Sequence, residues 1–149
     1  PEIYYGTEII LPGDDAKGHG DIRRDFPGGC EGDLKSAFTA DGRTSRQNEI
    51  FNYISTILNW RKTASAIHSG KLTHFIPENE VYVYFRTDDK QTVMVILNNG
   101  YQPKLLETAR FSEMMKGKNS AVDIISGKVL DNLEKVQLSP RSALILELH

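Results

Sequence analysis

Val81-Tyr82-Val83-Tyr84-Phe85-Arg86-Thr87, then Asp88-Asp89-Lys90, then Thr92-Val93-Met94-Val95-Ile96-Leu97-Asn98 is the stretch that decides the fold. Val81, Val83 and Phe85 alternate with Tyr82, Tyr84 and Arg86, which is the two-residue period of a strand whose side chains point to opposite faces in turn. The short acidic piece between the two runs is turn-like, so the stretch reads as strand, turn, strand.

The same texture continues on both sides. Lys71–Phe75, Lys104–Glu107, Ala121–Ile125, Lys128–Leu130, Glu134–Leu138 and Ala143–Leu148 are further strand candidates, and in the last Leu144, Leu146 and Leu148 alternate with Ala143, Ile145 and Glu147. Pro77-Glu78-Asn79, Asn98-Asn99-Gly100, Ser126-Gly127 and Ser139-Pro140-Arg141 separate them. Many short strands with turns between them point to an antiparallel sandwich rather than a parallel sheet with crossover helices. Arg110–Lys116 reads as one or two helical turns closed by Gly117.

Upstream the period changes to 3.6. Ile50, Phe51, Ile54, Ile57, Leu58 and Trp60 fall mostly on one side of a helix, and Glu49, Asn52, Ser55, Thr56, Asn59 and Lys62 mostly on the other. Thr44 and Gln47 have capping-box spacing at its start, and Arg61 and Lys62 suit the dipole at its end. A stripe this wide has to dock on an apolar surface, self-associate, or remain exposed. Tyr53 and Trp60 on this helix read as packing residues before sugar-stacking ones.

Before Arg43 almost no periodicity is sustained. Eight of the twelve glycines lie in the first 42 residues, far more than a packed element tolerates. Ile3-Tyr4-Tyr5 is a short strand-like run ended by Gly6, and a loop of several tens of residues follows. Loops of that length are normally functional or disordered. This one holds Ile9, Ile10, Leu11, Ile22, Phe26, Leu34 and Phe38, which are enough apolar side chains to pin it down.

Composition sets the limits. At 149 residues, 39% hydrophobic and 26% charged, the chain is an ordinary globular protein long enough to bury a core. Its formal charge of -2 argues against a nucleic-acid partner, and no apolar run reaches membrane-span length. The single cysteine, Cys30, excludes an internal disulfide framework. The chain starts at Pro1 without an initiator Met or signal sequence, so it is expected to begin inside a longer protein.

Little of the chemistry is motif-like. His19, His68, His74 and His149 are scattered without metal-ligand spacing, so no metal or cofactor is expected in this segment. Gly28-Gly29 lacks the context of a phosphate loop, and Cys30 lacks an evident activator. The concentration of hydrogen-bonding groups is His19, Asp21, Arg23, Arg24 and Asp25, which are the substrate-binding candidates. Their alternating carboxylates and guanidiniums could clasp a polyhydroxylated ligand or pair among themselves on a surface loop; the residues leave both open.

Three phrases carry a resemblance: Pro1-Glu2-Ile3-Tyr4-Tyr5-Gly6-Thr7-Glu8, Gly20-Asp21-Ile22-Arg23-Arg24-Asp25-Phe26-Pro27-Gly28-Gly29, and the helix from Gln47-Asn48-Glu49-Ile50-Phe51 to Leu58-Asn59-Trp60-Arg61-Lys62. They resemble the C-terminal third of α-amylase-superfamily glycoside hydrolases, within them the neopullulanase and cyclomaltodextrinase group. Gly70-Lys71-Leu72 and the Val81–Arg86 run resemble the opening of that group's C-terminal β domain.

The resemblance implies a mainly β chain: an antiparallel β-sandwich preceded by the remnant of a (β/α)8 barrel, namely its last strand (Ile3–Tyr5), a long loop and its last helix (Thr44–Thr63). Residues 1–68 are then the end of the barrel and residues 69–149 the β domain. Loops at the C-terminal ends of barrel strands build active sites, so the loop after Tyr5 is expected to face an α-glucan or maltooligosaccharide. The match has departures. Many relatives carry Asp at the position of Thr7 and Trp at that of Cys30. The Asp-x-x-x-Arg spacing of their sugar-binding pair is not kept, since His19 stands four residues before Arg23 and Gly20 four before Arg24, and this leaves open which arginine meets sugar.

The family's retaining mechanism uses a carboxylate nucleophile, a carboxylic acid and a third supporting carboxylate. In the resemblance all three lie before Pro1, so catalytic residues are expected upstream and the isolated chain is expected to be inert. The chain's own N-terminal barrel is the expected partner, with self-association of the isolated piece as another outcome. Calcium is a candidate requirement of the full-length parent, and the periplasm or cell exterior is the expected address. A different class, a carbohydrate-binding or interaction β module, would use Tyr82 and Tyr84 as its platform.

Overall fold

The computed structural model describes residues 2–149, so Pro1, the first residue of the opening phrase, lies outside them. The chain forms two compact units, one ending at Thr56 and the other running Ile57–His149.

The second unit contains eight strands: β1 Lys71–His74, β2 Val81–Thr87, β3 Thr92–Asn98, β4 Lys104–Glu107, β5 Ala121–Asp123, β6 Val129–Leu130, β7 Lys135–Leu138 and β8 Ser142–Leu148. Six form one sheet in the order β1-β2-β3-β8-β5-β6, and β4 pairs with β7 in a second. Every pairing is antiparallel. Phe85 stands opposite Met94, and Met94 opposite Leu146, so these large side chains share one face of the sheet. There they meet Val136 and Leu138 of β7, together with Phe111. Phe85, Met94, Ile96 and Leu146 are completely buried, and truncating a core phenylalanine of this kind to alanine costs about 3–5 kcal/mol.

The opposite face is also covered. Val93 and Val95 pack with Ala66, Trp60, Ile67, Tyr84 and Ile145. Ala66 and Ile67 belong to a short helix, α2 Ser65–Ser69, which the sequence pattern did not announce. Its main chain is held by side chains of the sheet: the Ala66 amide donates to Gln91 Oε1 at 3.1 Å, and the Arg86 guanidinium donates to the carbonyls of Ala66 and Ile67 at 3.1 and 3.0 Å. Strand β3 ends at Asn98, a buried amide that donates to the carbonyls of Gln102 and Ser139.

Helix α1 Ser45–Arg61 is present with the expected cap. The Thr44 amide donates to Gln47 Oε1 at 2.9 Å, and the Gln47 amide to Thr44 Oγ1 at 3.3 Å, a reciprocal capping box. Its apolar stripe is half covered: Ile50, Phe51, Ile54 and Ile57 are partly buried and Leu58 is exposed. Gly117 closes the turns after Phe111 with φ 75°, as expected of a C′ glycine.

One expected element is absent. Ile3-Tyr4-Tyr5 is not a strand: the chain turns at Tyr5 and Gly6, and the Thr7 amide donates back to the Tyr4 carbonyl at 3.2 Å. Among the described residues no strand pairs with this run, and aromatic β propensity cannot replace a ladder partner. The segment up to α1 is otherwise irregular, with 3₁₀ turns at Thr7–Ile9, Asp15–Lys17 and Asp21–Arg23.

Candidate functional site

The loop that follows Tyr5 begins with a turn only glycine fits. Gly6 has φ 83°, and a Cβ there would sit 2.7 Å from Leu11 Cβ. The Leu11 amide closes the turn onto the Gly6 carbonyl at 2.8 Å, and Ile9 is fully buried beneath it. The loop is thus anchored at its first few residues and free to carry polar groups beyond them.

Asp21 is the hub of those groups. Its Oδ2 accepts the Asp14 amide at 2.7 Å, and its Oδ1 accepts a close hydrogen bond from the Arg24 guanidinium. Arg24 Nε also donates to the Asp21 carbonyl at 3.1 Å, and Tyr5 Oη donates to the Arg24 carbonyl at 2.9 Å. The Arg24 hydrogen bond, then the Asp14 amide, hold the Asp21 carboxyl below the usual aspartate range. Tyr5 is pushed up, mainly by desolvation and by its neighbour Tyr4; the charge of Asp25 adds to the rise and that of Arg23 opposes it.

The five sequence candidates therefore divide. Asp21 and Arg24 are brought together and tie the loop to Tyr5 and Asp14, whereas His19, Arg23 and Asp25 are exposed on either side of them. Chemically this is a fixed ionised carboxylate beside a guanidinium that keeps outer N–H groups for a ligand, flanked by one imidazole, one cation and one anion. Such a set can bind hydroxyls.

Sequence reasoning missed the residues that fasten the far end of the loop. Asp33 Oδ2 accepts the amides of Gly28 and Cys30 at 2.6 and 3.1 Å. Arg43 donates from Nη1 to the Ala37 carbonyl at 3.0 Å and from Nε to Asn48 Oδ1 at 2.8 Å, with its guanidinium carbon 3.8 Å from the Phe51 ring centre. Gly42 passes so close to Ser36 that a Cβ would lie 1.8 Å from its carbonyl oxygen. The available signal was Arg43's place immediately before the capping box, five residues from Asn48.

Tyr82 and Tyr84, the platform of the alternative carbohydrate-binding reading, are not fully exposed. Both are partly buried, with ring centres 5.6 Å apart, and Tyr84 packs against the Ala66, Val93 and Val95 cluster. Burial there raises the Tyr84 hydroxyl's pKa above the ordinary tyrosine value. Among the described residues no three His, Cys, Asp or Glu side chains are grouped to hold a metal ion, and no helix is long and apolar enough to cross a membrane.

Comparison with known proteins adds identity of sequence and likeness of fold. The family described as the cyclo-malto-dextrinase C-terminal domain matches residues 72–147. A cyclomaltodextrin glucanotransferase from Niallia circulans is 29% identical over 132 residues, covering 89% of this chain and 16% of that protein. The crystal structure of an α-amylase from Geobacillus thermoleovorans, complexed with acarbose, matches 98% of this chain and 29% of its own with a TM-score of 0.70 at 17% identity. An Anoxybacillus α-amylase matches 97% of this chain and 28% of its own with a TM-score of 0.63 at 18% identity. The chain thus spans less than a third of the length of each of these relatives.

Proposed function

The chain belongs to the cyclo-malto-dextrinase C-terminal domain family through residues 72–147, an α-amylase-family C-terminal domain, and on that premise we propose what it does. It is the C-terminal part of a retaining hydrolase, neopullulanase-like in its preferences, that acts on α-glucosidic bonds of starch-derived oligosaccharides outside the cytoplasm. Residues 1–68 complete its barrel and residues 69–149 form the β domain that follows. One observation carries the reading: identity to the glucanotransferase extends over 132 residues, more than the β domain by itself holds, so it includes loop or helix as well.

In this reading the bond-breaking carboxylates come from barrel strands upstream. Asp21 is unsuited to replace them, since a general acid needs a raised pKa and Asp21's is lowered by Arg24. The loop's part is to bind. His19, Arg23 and Asp25 offer donors and acceptors to sugar hydroxyls, and Asp21 with Arg24 holds the loop in place while presenting the remaining guanidinium N–H groups.

The test compares the 149-residue chain with its full-length parent for release of reducing sugar from maltoheptaose and pullulan. The parent is expected to be active and the chain alone inert. Arg23→Ala in the parent is expected to raise KM more than it lowers kcat. Turnover by the isolated chain, or an inactive parent, overturns the reading.

A further inference from the structure

The sequence holds one Asn-Gly dipeptide, Asn99-Gly100, in the connection from β3 to β4. Glycine has no side chain to shield its own nitrogen, so the asparagine before it is open to attack by the main chain. The reaction balances with water alone. The Gly100 nitrogen loses its proton and bonds to the side-chain carbonyl carbon of Asn99, the bond from that carbon to Nδ2 breaks, and ammonia leaves. Water then opens the cyclic imide at one of its two carbonyls. The product is aspartate or, with one more carbon in the main chain, isoaspartate.

The fold holds the nucleophile back. Gly100 is buried, and its N–H donates to Asn98 Oδ1 at 3.0 Å. The acceptor is a neutral amide and not a base, and an anionic nitrogen in a buried place is costly. Attack therefore requires the Asn98 bond to break first. The main chain on either side is pinned as well: Asn99 N–H donates to the Glu80 carbonyl and Arg141 N–H to the Gly100 carbonyl, each at 2.9 Å.

The electrophile is held from the other side. Arg141 Nη1 donates to Asn99 Oδ1 at 2.5 Å and to the main-chain oxygen of Asn99 at 3.1 Å. A guanidinium has no acceptor, so the atom it meets is the amide oxygen and not the nitrogen. One donor atom thus bridges both oxygens of a single residue. In the cyclic imide those oxygens flank the ring nitrogen with the Gly100 Cα between them, and no single outside donor reaches both. The Arg141 clasp has to open before the ring can close.

We propose that Asn99 is a latent deamidation site, with water as its co-reactant, which Asn98 and Arg141 keep closed in the folded domain. Opening of this corner starts a reaction that refolding does not undo. Isoaspartate adds its carbon between Asn99 Cα and the Gly100 nitrogen, inside the turn that Asn98 grips, so the closed arrangement cannot re-form in the same register. The site is independent of sugar binding by the loop.

The full 149-residue chain is incubated at mildly alkaline pH in buffer and in urea, and the tryptic peptide Gln91–Lys104 is followed by mass spectrometry. The readout is a gain of one mass unit placed on Asn99 by fragmentation. Deamidation in buffer is expected to be at least about tenfold slower than in urea. Arg141 is exposed and sits at φ 48°, a backbone conformation that suits glycine, so Arg141→Gly removes the clasp and keeps the fold. That variant should stay folded by circular dichroism and react several-fold faster in buffer. Asn99→Gln, whose ring would need one more atom, should show no mass gain at this position. By NMR the Gly100 amide should exchange slowly with deuterated water. Equal rates in buffer and urea, a folded Arg141→Gly chain that reacts no faster, a mass gain that survives Asn99→Gln, or Gly100 exchange at the rate of an unprotected amide overturns the proposal.

Discussion

Trp60 and Glu147, 87 residues apart in sequence, meet where the indole Nε1–H donates to Glu147 Oε2 at 3.0 Å. The other carboxylate oxygen accepts from Gln91 Nε2 at 2.7 Å, and the same Gln91 takes the Ala66 amide on its Oε1. A partly buried carboxylate is thus satisfied by two neutral donors, and the end of α1, the start of α2 and strand β8 are joined through it.

Trp60→Phe keeps the ring's packing but removes one donor. Loss of a hydrogen bond to a charged, partly buried acceptor should cost about 1–2 kcal/mol, read as a lower urea midpoint at unchanged m. Glu147→Gln should cost a similar amount, because an amide offers one acceptor where two donors converge. An unchanged midpoint in both variants would show the clasp to be energetically idle.

The Asp21 carboxyl should titrate below the ordinary aspartate range, because the Arg24 guanidinium and the Asp14 amide favour its ionised form. A folded-state value depressed below the unfolded one gives a contribution to stability that is present above the unfolded value and is lost as pH falls through the folded one. Carboxyl-detected NMR should show the low titration in the native chain, and Arg24→Gln should move it upward. Titration at the ordinary value in the native chain contradicts the pairing.

Arg43→Ala removes two hydrogen bonds and a ring contact that fasten the loop to the first turns of α1. The expected result is faster proteolysis between residues 28 and 42 with helix content by circular dichroism retained. Arg43→Lys should restore little, since a single ammonium cannot reach two acceptors while stacking on Phe51.

Thr44→Ala deletes one half of the reciprocal cap and should lower stability by about 0.5–2 kcal/mol. Thermal melting followed at the helix band checks it. Thr44→Ser, which keeps the oxygen, should stay near the starting value.

Val81–Thr87 was legible because its buried face repeats every second residue, and Thr92–Asn98 because a continuous apolar run follows the turn-like Asp88-Asp89-Lys90. Helix α1 was legible from its stripe and its cap. Helix α2 was not, because five residues carry no period and its main chain is held by Gln91 and Arg86, which lie 25 and 20 residues downstream of Ala66. Ile3–Tyr5 misled for the converse reason, a strand-like composition without a strand beside it. In the loop the sequence offered five polar candidates without the pairing of Asp21 with Arg24, because the Asp14 amide that fixes Asp21 is set by tertiary folding rather than by spacing.

Strand β3 is apolar on both sides, Val93 and Val95 on one and Met94 and Ile96 on the other. A slip by one residue would exchange one greasy set for another, so hydrophobicity alone cannot keep this strand in step with its neighbours. That task falls to Asn98. Its amide grips Gln102 and Ser139 while its oxygen receives the Gly100 amide at 3.0 Å, and no other alignment would offer all three. The most water-repellent strand of the protein is indexed by its one buried amide side chain, so Asn98→Leu should make the domain less singular in structure before it makes it less compact.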